Sequence, residues 1–214
     1  MKIGIIGSGG VGKTLAGGFL KSGHEVKIGT RDASKLNEWM TLTANPKATV
    51  GSFADTAKWA DIIVLATHGL STLNAIDLAG KENFKGKIVI DVTNPLDFSG
   101  GPPPKMGVTV GNSLGEQIQR HLPEAKVVKA FNIVGANTMV NPKMQDGDPD
   151  LLIAGNDDGA KKWANDLAAG WGWNPCIDLG DISNAYWLEA ITMAWCAFGF
   201  KNNHWTHAFK LLKK

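Results

Sequence analysis

The chain reads as an α/β protein, a doubly wound, mostly parallel Rossmann-type sheet with a smaller C-terminal α/β extension ending in helices. Three observations predict this. Short apolar, β-branched runs recur along the whole chain, at residues 2–6, 25–29, 48–50, 61–66, 87–92, 126–130, 151–154 and 175–178. Several are apolar throughout, the pattern of strands buried on both faces of a parallel sheet. Helical patterns alternate with these runs, and a glycine-rich loop follows the first of them.

The elements follow in order. The first strand, 2–6, leads through the loop into a helix over 11–21, and 25–29 is the second strand. A helix over 34–42 precedes a short strand at 48–50, and 61–66 and 87–92 are the buried strands of the sheet centre. Residues 94–107 carry the run GGPPP, which fits neither a helix nor a central strand, so they form a loop. Alternation resumes with a helix at 113–121, a strand at 126–130, a strand at 151–154, a helix at 157–169 and a last strand at 175–178. Two helices, 182–198 and 204–212, close the chain. The expected division is a dinucleotide-binding domain at 1–135, then an extension at 136–214 that completes an acceptor pocket and carries a homodimer interface.

Composition excludes several classes. The 214 residues are 43% hydrophobic and 20% charged, as in an ordinary soluble domain. A net charge of +2 with no block of like charge gives no electrostatic case for nucleic acid. No apolar run is long enough to span a bilayer, and MKIGIIG runs directly into a strand and a glycine loop rather than a signal peptide. The expectation is a cytoplasmic protein with no membrane partner. Cys176 and Cys196 form no CxxC pair and read as small buried side chains, so no metal site is expected. Tryptophan is unusual: there are eight, against one tyrosine. Trp163, Trp171, Trp173, Trp187 and Trp195 share one C-terminal stretch, with Trp205 just beyond. Indoles suit a packed core, a subunit interface or the wall of a flat cofactor's pocket, and composition does not choose among them.

The loop Gly7-Ser8-Gly9-Gly10-Val11-Gly12-Lys13-Thr14 satisfies two motifs. Gly7, Gly9 and Gly12 make GxGxxG, while Gly7 with Gly12-Lys13-Thr14 makes GxxxxGK[ST], the P-loop. Both let backbone N–H groups approach a phosphate at a helix N-terminus. The loop alone therefore identifies phosphate binding and not the ligand. Asp91, ending an apolar run, suits a magnesium-binding strand and supports the P-loop reading. The end of the second strand supports the other. It lies roughly 20 residues past the loop, where a dinucleotide's adenosine ribose belongs. An NAD enzyme carries Asp or Glu there; this chain has Gly29-Thr30-Arg31, with Lys35 close behind. A carboxylate repels a 2′-phosphate, whereas a guanidinium holds one through paired charged hydrogen bonds. Ser8, Thr30, Arg31 and Lys35 thus converge on one phosphate-compatible point, which favours NADP(H).

At these residues the chain resembles the NADPH-dependent reductases of the deazaflavin coenzyme F-420 and the related cytosolic domains of STEAP metalloreductases. The opening IGIIGSGGVGKTLAGGFLKSGHEVKIGTRD follows the family's glycine loop, Gly-His-Glu turn and Ser/Thr-Arg strand end. The resemblance implies that Ser8, Thr30, Arg31 and Lys35 surround the 2′-phosphate. It extends to AKVVKAFN at 125–132, similar to the strand leading to the nicotinamide pocket, and to the DxGxxSNxxxxE signature running from Asp178 to Glu189. Where F-420 reductases often read His-Thr-Ile-Pro, this chain has Asn132-Ile133-Val134-Gly135, and Phe131-Asn132 is closer to the STEAP version. The implied acceptor is therefore F-420 or a flavin.

Hydride transfer between two stacked rings requires no protein nucleophile and no metal, so no catalytic residue is required. The nicotinamide belongs outside the carboxyl ends of the strands, near Thr67, His68, Asn94, Pro95, Asn132 and Ala136. His68 is the one acid–base candidate there, and a packed loop histidine is the plainer reading. The expected cofactor-binding set is Gly7, Ser8, Gly9, Gly10, Val11, Gly12, Thr30, Arg31, Lys35, Thr67, His68, Asn94, Pro95, Asn132 and Ala136. The expected partner is a small-molecule hydride acceptor. A non-catalytic NADP sensor and a P-loop ATPase stand as alternatives.

Overall fold

The computed structural model describes residues 1–212. The first half alternates β1 (Lys2–Ile6), α1 (Gly10–Lys21), β2 (Glu25–Gly29), α2 (Asn37–Thr43), β3 (Ala48–Gly51), α3 (Phe53–Trp59), β4 (Ile62–Leu65), α4 (Thr72–Ala79) and β5 (Ile88–Asp91). A small hairpin of β6 (Leu96–Asp97) and β7 (Lys105–Met106) follows. The rest comprises α5 (Leu114–His121), β8 (Lys126–Lys129), α6 (Ala136–Met139), β9 (Leu152–Gly155), α7 (Asp158–Gly170), β10 (Ile177–Asp178) and α8 (Ala185–Asn202). Eight strands form one sheet in the order β3-β2-β1-β4-β5-β8-β9-β10. The first six positions reproduce the dinucleotide-binding order 3-2-1-4-5-6, all parallel, with β8 as the sixth strand.

Strand periodicity explains the two core layers, because successive side chains point to opposite faces. Ile3, Ile5, Ile62 and Val64 pack with Leu15, Ala16 and Phe19 of α1 and Ala160, Ala164 and Ala168 of α7. Ile6, Ile63 and Leu65 pack on the other face, with Ala57 of α3, Ala75 and Ile76 of α4, and Ile118 of α5. Helix α5 begins with a capping box in which the Ser113 side chain accepts from Glu116 N–H and Glu116 answers on the Ser113 backbone. Among the described residues no helix is long and apolar enough to cross a membrane.

The structure departs from the sequence reading at particular places. Strand β9 runs antiparallel to β8, with Val128 opposite Gly155. The 22-residue connection instead packs the four-residue α6 against α1 and brings the chain back beside β8. The 94–107 segment is not wholly irregular, since Leu96 pairs with Met106 and Asp97 with Lys105. Residues 204–212 form no helix. Asn203, in the left-handed region at φ 48°, ends α8. The following segment is held by tertiary bonds instead: Trp195 Nε1 donates to His207 O, Asp150 N to Phe209 O, and Leu211 N to Asp150 Oδ2.

Candidate functional site

The loop between β1 and α1 is shaped by close backbone approach. Gly7 sits at φ +127°, and a Cβ there would lie 2.4 Å from Ala66 O. A Cβ on Gly12 would lie 2.2 Å from Gly7 O, so Gly7 is reserved for glycine by the backbone after β4 and Gly12 by the packing of α1 on the loop. Gly9 caps α1, whose first turn carries no acidic residue. The helix's first N–H groups and its positive end are thus available to an anion.

An open cleft of about 210 Å³ lies beside this loop, lined by Gly7, Ser8, Gly9, Thr30, Arg31, Lys35, Thr67 and His68 among others. Thr30 is buried and pre-positioned: its hydroxyl donates to Asp32 O at 3.0 Å, accepts from Asp32 N at 3.2 Å, and meets Ser8 Oγ at 3.0 Å. Asp32 also reaches the cleft wall, but its carboxylate is engaged by Ser34 Oγ at 2.6 Å and Ser34 N at 3.0 Å. Those two bonds, side chain first, hold its carboxyl below the usual aspartate range. It caps the 3-10 turn Ala33–Leu36 that presents Lys35. Lys13 Nζ lies 3.2 Å from Lys35 O, so its ammonium ties α1 to that turn. With the strand order, this contact speaks against the P-loop alternative, where the lysine must serve the phosphates.

A second lobe of about 190 Å³ is lined by Val11, Ala66, Thr67, His68, Gly69, Val92, Thr93, Asn94, Leu96 and Phe98. The two lobes share Ala66, Thr67 and His68, the residues that follow β4. A Cβ on Gly69 would lie 1.9 Å from Asn94 O, so glycine there lets the post-β4 loop close onto the end of β5. The lobes run in sequence across the carboxyl edge of the sheet, the outer one by β2 and the inner one by β5. This is the path of an extended dinucleotide in the fold.

Behind the inner lobe lies a polar network. Asn94 Nδ2 donates to Asn132 O at 2.8 Å, and Asn132 Nδ2 returns a bond to Asn94 Oδ1 at 2.9 Å. Thr192 Oγ1 of α8 also donates to Asn132 O, at 3.1 Å. Phe131, just before, sits at φ +62°, a strained conformation for an aromatic residue, and such strain concentrates at working sites. Deeper still, Lys129 Nζ lies 2.7 Å from Asp91 Oδ2 and 2.9 Å from Glu189 Oε1, with all three side chains fully buried. It also donates to Thr93 O at 2.8 Å. Asp91 accepts from Thr93 N and Oγ1, and Glu189 from Leu114 N and Gly115 N at the start of α5. Burial works against the Lys129 charge, but Asp91 and Glu189 outweigh it and hold the ammonium above the usual lysine range. This triad joins the AKVVKAFN strand to the final glutamate of the DxGxxSNxxxxE segment and fixes the backbone that leads to Asn94.

The residues singled out in the sequence divide accordingly. Gly7, Ser8, Gly9, Thr30, Arg31 and Lys35 line the outer lobe, Val11 and Asn94 the inner one, and Thr67 and His68 both. Gly10 is exposed beside the loop, and Gly12 and Pro95 are buried. Asn132 is only 2% exposed and acts on the cleft through Asn94, while Ala136 begins α6 and lines neither lobe. Phe53, Ser71 and Asn74 in the outer lobe, and Leu96 and Phe98 in the inner one, lie outside the expected set. The apolar spacing of Ala75, Ile76 and Ala79 signals α4, whose start carries Ser71 and Asn74 to the cleft. Among the described residues no tryptophan lines either lobe. Trp163 stacks on Phe19, Trp171 packs against Phe19 and Phe131, and Trp173 against Phe131, so these three serve the core.

Comparison with known proteins adds to this geometry. The family model described as NADP oxidoreductase, coenzyme F-420-dependent, matches residues 2–95. The F-420-dependent NADP reductase of Methanocaldococcus jannaschii is 33% identical over 202 residues, spanning 90% of this chain and 89% of the relative. The metalloreductase STEAP3 of Rattus norvegicus is 29% identical over 202 residues, and the match spans 90% of this chain but only 36% of that relative. A solved structure from Arthrobacter sp. FB24, described as a candidate F-420-dependent NADP-reductase, superposes with a TM-score of 0.94 at 41% identity, covering 100% of both chains.

Proposed function

Because this chain belongs to the family of F-420-dependent NADP reductases, we propose that it is the member that moves hydride between NADPH and a deazaflavin or flavin-type ring. The observation that carries the reading is the outer lobe: Arg31 just after β2 and Lys35 on the 3-10 turn line it together with the Ser8 and Thr30 hydroxyls, 3.0 Å apart. The residues fit NADPH. Arg31 and Lys35 neutralise the 2′-phosphate, Ser8 and Thr30 hydrogen-bond it, and the Asp32 carboxylate is drawn aside by Ser34. The loop that Gly7 and Gly12 permit places the α1 N-terminus at the pyrophosphate. Thr67, His68 and Asn94 hold the nicotinamide half, and the Asn94 amide is kept in one orientation by Asn132 O.

When bound, NADPH supplies the hydride. The chain contributes binding, orientation and a dry wall, and these are what hydride transfer between rings requires. Val11, Val92, Leu96 and Phe98 make the inner lobe partly apolar, which excludes water from the ring faces. In the same reading, Phe198 and Phe200, partly exposed on α8, meet a second copy of the chain.

The test is loss of NADPH absorbance in the near ultraviolet with F-420, FMN and FAD as parallel acceptors, for wild type and Arg31→Ala. A charged hydrogen bond is worth about 1.5–3 kcal/mol, so the variant's KM for NADPH rises roughly 10- to 100-fold with NADH unchanged. Equal effects on both cofactors would remove Arg31 from the 2′-phosphate. Failure of every ring acceptor in the wild type would end the reductase reading.

A further inference from the structure

The inner lobe has an aromatic wall to which the cofactor reading gives no role beyond excluding water. Phe98 follows β6 in the small hairpin and lines the lobe while remaining 44% exposed. The hairpin lies outside the main sheet, and its two strands make only a two-residue ladder. Its base is closed by Gly107 N donating to Pro95 O at 2.8 Å. The turn after Phe98 is set locally: Ser99 N donates to Asp97 Oδ1 at 2.8 Å and Gly101 N to Phe98 O at 2.9 Å. The aromatic residue is therefore held over the cleft without being packed into the core.

The two sides of the lobe differ in chemistry. Thr67, His68, Thr93 and Asn94 bring polar groups to the lobe from the ends of β4 and β5, beside the smaller Ala66 and Val92, whereas Leu96 and Phe98 of the hairpin are both apolar. A half-exposed phenyl face opposite a polar edge suits a flat heteroaromatic ring, because offset stacking rewards extended planar contact that a small aliphatic carbonyl or imine does not offer. We infer that Phe98 is the acceptor-selecting residue: it stacks on the planar ring of the hydride acceptor and sets the preference for deazaflavin or flavin-type rings. This rests on the function proposed above, and it names a residue and a physical basis for that choice of substrate.

The test separates this inference from its premise by measuring binding as well as turnover. Protein saturated with NADP is titrated with F-420 or FMN, whose own fluorescence reports stacking, for wild type, Phe98→Ala, Phe98→Leu and Phe98→Tyr. Loss of an aromatic stack predicts an acceptor Kd and KM raised roughly 3- to 10-fold in Phe98→Ala, an intermediate change in Phe98→Leu, and recovery in Phe98→Tyr. The Kd for NADPH shifts less than that of the acceptor, since the outer lobe that holds the phosphates lacks Phe98, and the melting temperature stays at the wild-type value, since Phe98 is 44% exposed. Unchanged acceptor binding in Phe98→Ala overturns the inference while leaving a working reductase intact. A parallel weakening of NADPH binding also overturns it, by assigning Phe98 to the cofactor. Ring binding without turnover in the wild type supports the stacking role and overturns the reductase reading alone. A wild type that binds neither ring overturns both.

Discussion

Replacing Lys129 with Met tests what the buried triad contributes. The substitution preserves the length and most of the volume of the side chain and removes only the ammonium. What remains is the Asp91 and Glu189 carboxylates, both at 0% exposure, facing a site where Nζ had stood within 2.7 Å of one and 2.9 Å of the other. Two compensations survive: Thr93 still donates to Asp91, and the α5 N-terminus still donates to Glu189. Neither supplies a full positive charge, and Thr93 O also loses its donor. Removing one partner of a buried ion pair costs about 3–5 kcal/mol. At roughly 2–4 °C per kcal/mol for a domain of this size, the melting temperature falls by about 6–20 °C. Urea denaturation of Lys129→Met and wild type measures the effect. A loss under about 1 kcal/mol would show that packing rather than charge governs the site.

Two further outcomes follow from local structure. Ala44 ends α2 at φ 43°, a left-handed cap that suits glycine, so Ala44→Gly raises stability by roughly 0.5–1 kcal/mol after the entropy of the added glycine is subtracted, as chemical denaturation would reveal. Asp32, Asp55, Asp157 and Asp181 are held below the ordinary aspartate range, chiefly by Ser34, Ser52, Ala160 N–H and Ser183 in turn. Groups depressed in the folded state stabilise it fully above their unfolded pKa, so the urea midpoint stays level down to about pH 4 and declines below it; a midpoint that holds steady through that range refutes the capping argument.

Much of the candidate site is legible in the sequence because its signals are local. The spacing from Gly7 to Arg31 is a property of one strand, one loop and one helix, so Ser8, Thr30, Arg31 and Lys35 converge on one point by spacing alone, and all four line the outer lobe. The inner lobe is less legible. Asn94 follows from its place at a strand end, but Phe98 stands in a proline- and glycine-rich run whose hairpin depends on pairing between Leu96 and Met106. The position of Asn132 at a strand end points it at the cleft, yet its side chain is buried and its amide nitrogen is spent on Asn94 and Thr192, the latter 60 residues away.

The sequence by itself determined the alternation of strands and helices, the glycine loop and the basic cluster after the second strand, because each follows from residues close together in the chain. Tertiary structure alone decided the reversal of β9, the irregular path after Asn203, and the joining of Lys129, Asp91 and Glu189 into one buried triad. Those outcomes depend on which groups satisfy one another across the fold: a connection whose α6 packs against α1 and returns beside β8, a terminal segment whose backbone finds partners on Trp195 and Asp150, and charges that tolerate burial only together.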